Sequence, residues 1–177
     1  MSSEALHTIL DLIRGGQQEA LVRTDSSVLL IYPPSRELDA EDFLRDRLFP
    51  TLLNDGLAHR ELDLRWKFFD YFESDEIAGL SEDEFHDRKL VRQEIASRVE
   101  VRLMKEIENL GCESSPLFLT STASLHPFVR FGELLRHLRH LKSCLFVMFP
   151  GDERGGKLHF MNEPDGGNYL ATKVHLF

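Results

Sequence analysis

Gly151-Asp-Glu-Arg-Gly-Gly156-Lys157 has the G-x-x-x-x-G-K spacing of a phosphate-binding loop, and it follows an apolar run that reads as a strand. That chemistry needs a hydroxyl after the lysine to hold magnesium, and a helix whose amino end faces the phosphates. Leu158 stands where the hydroxyl belongs, and the residues after it read as another strand. Asp152 and Glu153 would also set carboxylates against phosphate. The segment is therefore read as a flexible glycine loop, and no nucleotide cofactor is expected. Thr120-Ser-Thr-Ala-Ser124 is a hydroxyl-rich stretch at a strand end. A nucleophilic serine would want a G-x-S-x-G elbow with histidine and acid partners, and no such elbow exists here. Ser121, Thr122 or Ser124 is read as a helix cap. His126, His137, His140, His159 and His175 form neither HxxxH nor HExxH, so no metal ligand is assigned. No catalytic residue is assigned either.

What remains is chemistry of contact. Arg130, Arg136, His137, Arg139, His140 and Lys142 are the one basic concentration in an acidic chain. Arg136, Arg139 and His140 would share a helical face opposite a leucine stripe. Such a face is ordinarily solvated, with cations near a helix carboxyl end. Its functional reading is a docking patch for an acidic partner or a nucleic-acid backbone. Trp66, Phe68, Phe69, Tyr71 and Phe72 crowd into seven residues. Most are expected in the core, yet they cannot all point one way, so some could form an exposed partner surface. The residues proposed to meet a partner are Thr120, Ser121, Thr122, His126, Arg130, Arg136, Arg139 and Trp66.

The elements that position them centre on residues 116 to 151. Leu117–Thr120 and Leu145–Phe149 are short apolar runs of the kind buried on both faces of a parallel sheet. Between them Phe128, Phe131, Leu134, Leu135, Leu138 and Leu141 make one helical stripe. Strand, helix and strand give a right-handed βαβ unit, whose partners meet the loops at the carboxyl ends, Thr120–His126 and Pro150–Gly156. Upstream, residues 3 to 14 read as a helix stopped by Gly15-Gly16, and Val28–Tyr32 as a core strand closed by Pro33-Pro34. Residues 40 to 54 read as a helix capped by Asp39, with Phe43, Leu44, Leu48, Leu52 and Leu53 inward and a kink or early end near Phe49 because of Pro50. Leu62–Leu64 reads as a short strand. Ser81-Glu-Asp-Glu84 has the form of a capping box, opening a helix to about Leu110 with Leu90, Ile95, Val99, Leu103 and Ile107 in register. Lys157–Met161 and Tyr169–Phe177 read as a terminal hairpin. The expectation is one α/β domain over residues 1–177. It is a three-layer Rossmann-like fold with a mostly parallel central sheet, helices on both faces and a C-terminal β-hairpin at the edge.

Composition agrees. A chain of 177 residues with 42 % hydrophobic content can bury a substantial core. No apolar run is long enough to cross a bilayer, and the first residues lack the basic start and apolar block of a signal peptide. Two cysteines, Cys112 and Cys144, have no metal spacing and are read as reduced thiols. These features point to the cytoplasm. A net charge of −9 argues against indiscriminate nucleic-acid binding.

The order of features resembles one family. Val28–Tyr32 comes early. Leu117-Phe-Leu-Thr120, Leu125-His-Pro-Phe-Val-Arg130 and Leu145-Phe-Val-Met-Phe-Pro-Gly151 follow, with Asn168-Tyr-Leu-Ala171 near the end. The chain resembles the BrxB family of bacteriophage exclusion (BREX) systems. It departs from the family's Y-Y-R-A-F-like ending, lacking the second aromatic and the arginine. The resemblance implies a non-enzymatic subunit of an anti-phage complex. Its partners would be a PglZ-type alkaline-phosphatase-like protein, a large ATPase and an adenine-specific DNA methyltransferase, and it implies no catalytic residues. The other reading is a nucleotide- or nucleic-acid-binding protein using Gly151–Lys157 and the basic helix, with weak DNA contact.

Overall fold

A computed structural model describes residues 3–18, 27–138, 140–165 and 171–177. Five strands run parallel in the order β2 (Arg60–Asp63), β3 (Leu117–Thr120), β4 (Leu145–Arg154), β1 (Ser27–Tyr32) and β7 (Thr172–His175). The central strands alternate between two apolar cores, which is why they read as unbroken hydrophobic runs. Leu29, Ile31, Leu117, Leu119, Val147 and Phe149 face α5 (Ser74–Leu110) and α6 (Phe131–His137). Val28, Leu30, Tyr32, Phe118, Phe146 and Met148 face α1 (Ser3–Gln18) and the helical segment after β1. The fold is the expected α/β sandwich with helices on both faces. Leu117 and Leu145 are register partners in adjacent parallel strands, as the βαβ reading requires.

Several local expectations change. The first helix runs through Gly15 to Gln18, because glycine weakens a helix by about 1 kcal/mol without forbidding it. The segment after β1 is α2 (Glu37–Asp42), a π-helical turn (Phe43–Leu48) and α3 (Phe49–Asn54). Its first turn starts ahead of Asp39, which instead accepts a hydrogen bond from Arg36 Nε at 2.8 Å. Pro50 does not end it. The wide turn, in which Phe49 N–H donates to Leu44 O, absorbs the proline just as the α-helix resumes. Leu53 points outward there. The long helix α5 opens seven residues earlier than Ser81. Glu73 and Glu76 form its capping box, Glu73 N–H donating to Glu76 Oε2 at 2.9 Å. The side chains of residues 81–84 lie outside the described residues. Leu90 is exposed and Val91 is the buried neighbour, while Val99, Leu103 and Ile107 are fully inward as expected. A four-residue helix, α4 (Lys67–Asp70), precedes α5.

The hairpin forms with a different partner. β4 runs on past the parallel sheet to Arg154 and folds back onto β5 (Lys157–Phe160), which in turn pairs with β6 (Glu163–Pro164). Gly155 and Gly156, at φ +57° and +74°, make the two-residue turn with positive φ at both positions that matches strand twist. The last strand, β7, joins the other edge parallel to β1, with Val28 opposite Thr172. Residues 169–170 of the expected last strand lie outside the described residues.

Asp165 follows β6 and is 2 % exposed. Its Oδ2 accepts the Gly132 N–H at 2.6 Å, holding the first turn of α6. Burial pushes its carboxyl up from the ordinary 3.8 to about 6; the Gly132 hydrogen bond and Arg130 pull down, and Glu133 pushes up. The folded chain therefore holds a proton between pH 3.8 and about 6 that the unfolded chain has released. This contribution to stability is complete below the lower value and is lost as pH rises through the upper one, about 2–3 kcal/mol in all. Urea unfolding from pH 3.5 to 7 should show that fall relative to Asp165→Asn. Parallel curves for the two proteins would refute the assignment.

Candidate functional site

The carboxyl ends of β1, β2 and β3 and the start of α2 meet at one rim, the usual place for ligands and partners in open α/β sheets. Tyr32 OH donates to Glu37 Oε2 at 2.9 Å. Arg65 Nη2 donates to Glu41 Oε1 at 2.8 Å. Arg45 Nη2 lies between Glu61 and Asp63, at 3.3 and 3.6 Å. Thr120 Oγ1 donates to Glu61 at 2.8 Å, and Ser121 Oγ lies 3.4 Å from Glu41 Oε1. Burial, then the charge of Glu41, push the Glu37 carboxyl up against the pull of the Tyr32 hydroxyl. Burial also pushes Asp63 up, but the Arg65 N–H, the Ser121 hydroxyl and the two arginines outweigh it and hold that carboxyl low. Both guanidiniums thus lie against neighbouring carboxylates.

The hydroxyl loop serves this interior. Thr120, Ser121 and Thr122 are buried. Ser121 is in the left-handed region at φ 53°, ψ 36°, and its side chain makes no cap bond to the 3-10 turn Thr122–Leu125 that follows. Thr122 Oγ1 donates to Met148 O at 2.5 Å, tying the loop to β4. His126 is half-buried with its ring 6.1 Å from that of Phe160. Arg130 is exposed and 3.8 Å from Glu133. The Gly151–Lys157 segment is strand and hairpin turn. Gly151, Asp152, Glu153 and Arg154 pair with Phe160, His159, Leu158 and Lys157, so it presents no nest of backbone donors and leads into no helix.

The aromatic run divides. Tyr71 and Phe72 are buried, Phe68 is half-buried, and Trp66 and Phe69 are 68 % and 58 % exposed with ring centroids 6.3 Å apart. Phe68 touches Phe69 edge-on at 5.6 Å and stacks on Phe128 at 5.4 Å. That row of rings joins Trp66 to the loop that carries His126 and Arg130. The platform is anchored. Lys67 Nζ and Tyr71 OH donate to the two oxygens of Glu106 at 2.6 and 2.8 Å, and Arg102 donates to Tyr71 O. Arg136 sits on the last turn of α6, at the other end of that helix from Arg130. His140 lies past the helix end, 3.4 Å from Glu108, so the basic residues do not share one helical face. A seven-residue helix is too short to carry them. Arg139 lies outside the described residues.

Sequence reasoning missed Tyr32, Glu37, Glu41, Arg45, Asp63 and Arg65. Glu37, Glu41 and Arg45 recur every four residues directly after the first strand, a spacing that marks one helix face at the carboxyl rim. Among the described residues no group of three or more His, Cys, Asp or Glu side chains could hold a metal ion, and no helix is long and apolar enough to cross a membrane.

The described residues thus form an open, mostly parallel α/β sheet covered on both faces, whose carboxyl rim carries internal ion pairs and is bordered by an outward aromatic pair. A family model described as BREX protein BrxB matches residues 65–174, well over half of the sequence, and the chain belongs to the BrxB family. That makes it a component of BREX-type phage defence. The matched region runs from the aromatic platform to β7; β1, the early strand of the resemblance, precedes it. No curated protein and no solved structure matches the chain.

Proposed function

We propose that this BrxB-family chain is a non-enzymatic interaction subunit of its defence complex, acting in the cytoplasm and docking a folded protein through the Trp66–Phe69 platform and the adjoining His126–Arg130 loop. The observation that carries this is the pair of large aromatic rings held outward on an anchored segment. Rings of this kind in water sacrifice apolar burial, and they recover it when a partner covers them. Tryptophan is one of the residue types enriched among the energetic anchors of interfaces. Thr120, Ser121 and Thr122 act indirectly, by fixing the loop that precedes His126. The partner proposed is the PglZ-type protein, with the ATPase and methyltransferase as further members of the assembly. The alternative, nucleotide or nucleic-acid binding, draws on Gly151–Lys157, which is a hairpin, and on the basic helix, which ends at His137 before His140.

The test is co-purification and titration with the PglZ-type protein. Trp66→Ala with Phe69→Ser should weaken binding about a hundredfold, on the order of 3 kcal/mol. Unfolding should stay within about 0.5 kcal/mol of the parent, because both side chains are exposed. Unchanged affinity in the double variant would sink the proposal.

A further inference from the structure

Away from the rim, α5 is 37 residues long and α6 only seven, so the shorter helix leaves part of its neighbour's flank uncovered. A groove of about 220 Å³ runs between them, lined by Glu100, Val101, Met104, Glu133, Leu134 and His137 among others. Val101, Met104 and Leu134 make its apolar part. Leu134 is buried, Met104 packs on the core, and Val101 is 64 % exposed. Its polar groups are mainly acidic. Glu100 comes from α5 and Glu133 from the first turn of α6. The Glu100 carboxyl is pushed up, chiefly by burial and then by the charge of Glu133. The counter-charges on this pair are Arg130, 3.8 Å from Glu133, and His137 when protonated. Arg130 is mostly in solvent, with its side chain 63 % exposed, so it screens the pair weakly. Two carboxylates against one guanidinium leave the groove net negative, in a chain already at −9.

An apolar trough with carboxylates at its edge fits a long cationic side chain, whose methylenes lie on carbon and whose head stays polar. We infer that the α5/α6 groove is a second docking surface. Its occupant is a basic amphipathic helix of a protein partner, with aliphatic residues on Val101, Met104 and Leu134 and an arginine between Glu100 and Glu133. Helix-in-groove recognition supplies the apolar anchor, and the charge pair sets the register. The same carboxylates exclude nucleic acid from this face. This surface is separate from the Trp66 platform and stands or falls independently of it.

The probe is a synthetic helical peptide with leucine on one face and arginine on the other, titrated into isotope-labelled full-length protein and followed by amide chemical shifts. Saturable shifts confined to residues 97–104 and 133–137 are expected. Val101→Asp, at an exposed position, should weaken binding about tenfold. Glu133→Gln and an arginine-to-citrulline peptide should each lower affinity by a similar factor, while Trp66→Ala should leave it unchanged. Melting curves of each variant establish that the fold is intact. Shifts spread over the whole acidic surface, shifts centred on the rim, citrulline binding as well as arginine, or no binding at millimolar peptide would each overturn the inference.

Discussion

Arg60→Ala should lower the unfolding free energy by about 3 kcal/mol, the largest effect expected of any single polar side chain in this fold. Arg60 opens β2, and its guanidinium reaches over the carboxyl end of α5. It donates to Leu110 O, and it meets Glu113 O at 3.2 Å, Ser115 O at 3.0 Å and Ser143 Oγ at 2.9 Å. The helix has ended at Gly111, so Leu110 O has no further turn to accept from. The 111–116 connection that follows has little regular structure to satisfy it, and Ser143 clasps it as well, its hydroxyl lying 2.6 Å from Glu113 O and 3.2 Å from Gly111 O. Removing the fork strands several half-buried carbonyls at once. It also removes the tie between edge strand, helix end and the start of β4. Arg60→Lys should recover less than half of the loss, since a point ammonium cannot span three carbonyls the way a planar fork does. Urea unfolding of the three proteins checks this. A loss below about 1 kcal/mol for the alanine variant, or full recovery by lysine, would show that the connection holds itself together.

Much of the scaffold is legible from local pattern alone. Leu117–Thr120 and Leu145–Phe149 are short and apolar on both faces, and only the middle of a covered parallel sheet accommodates that. Val99, Leu103 and Ile107 keep helical spacing for the same physical reason. What the sequence hides is pairing between distant segments. Nothing in Thr172–His175 says that its partner is Val28–Ile31 rather than Lys157–Phe160. In the fold β4 extends far enough to pair with β5 itself, and β7 lies on β1. The Gly155-Gly156 pair did carry a local signal, a two-residue hairpin turn, which the overlapping G-x-x-x-x-G-K spacing obscured.

The rim is less legible than the scaffold because its contacts bridge four elements. Arg65 finds Glu41 and Arg45 finds Asp63 only once β2 lies beside β3 and the helix after β1 has crossed the sheet. The hydroxyls of Thr120 and Thr122 looked available in sequence and prove to be fasteners. Whether an aromatic is inside or outside was equally undecidable for Trp66 to Phe72, because a four-residue helix sets the phase and the Glu106 anchor sets its tilt. Composition could say only that some rings must face out.

The other large effect belongs to Gly151, where the extended end of β4 crosses β5. A Cβ built there would lie 1.9 Å from His159 O and 2.9 Å from an edge carbon of Phe149. A backbone carbonyl in a paired strand cannot move aside as a side chain can, so Gly151→Ala must push β5 off its register. Two buried residues hang on that register. Leu158 and Phe160 are both in the core under the α5/α6 layer, with the Phe160 ring 5.2 Å from Phe149 and 5.3 Å from Phe131. The consequence travels further, because Asp165 N–H donates to Leu158 O at 3.1 Å while the Asp165 carboxylate holds Gly132 at the start of α6. Gly151→Ala is therefore expected to cost about 3 kcal/mol and to strip hydrogen-exchange protection from residues 157–160 and 132–135 together. Gly155→Ala makes the contrast. At φ +57° with open space around it, alanine there incurs only left-handed strain, about 1 kcal/mol, and leaves the protection of α6 intact. If the two variants lose equal stability, or if α6 keeps its protection in Gly151→Ala, the hairpin is not what seats that helix.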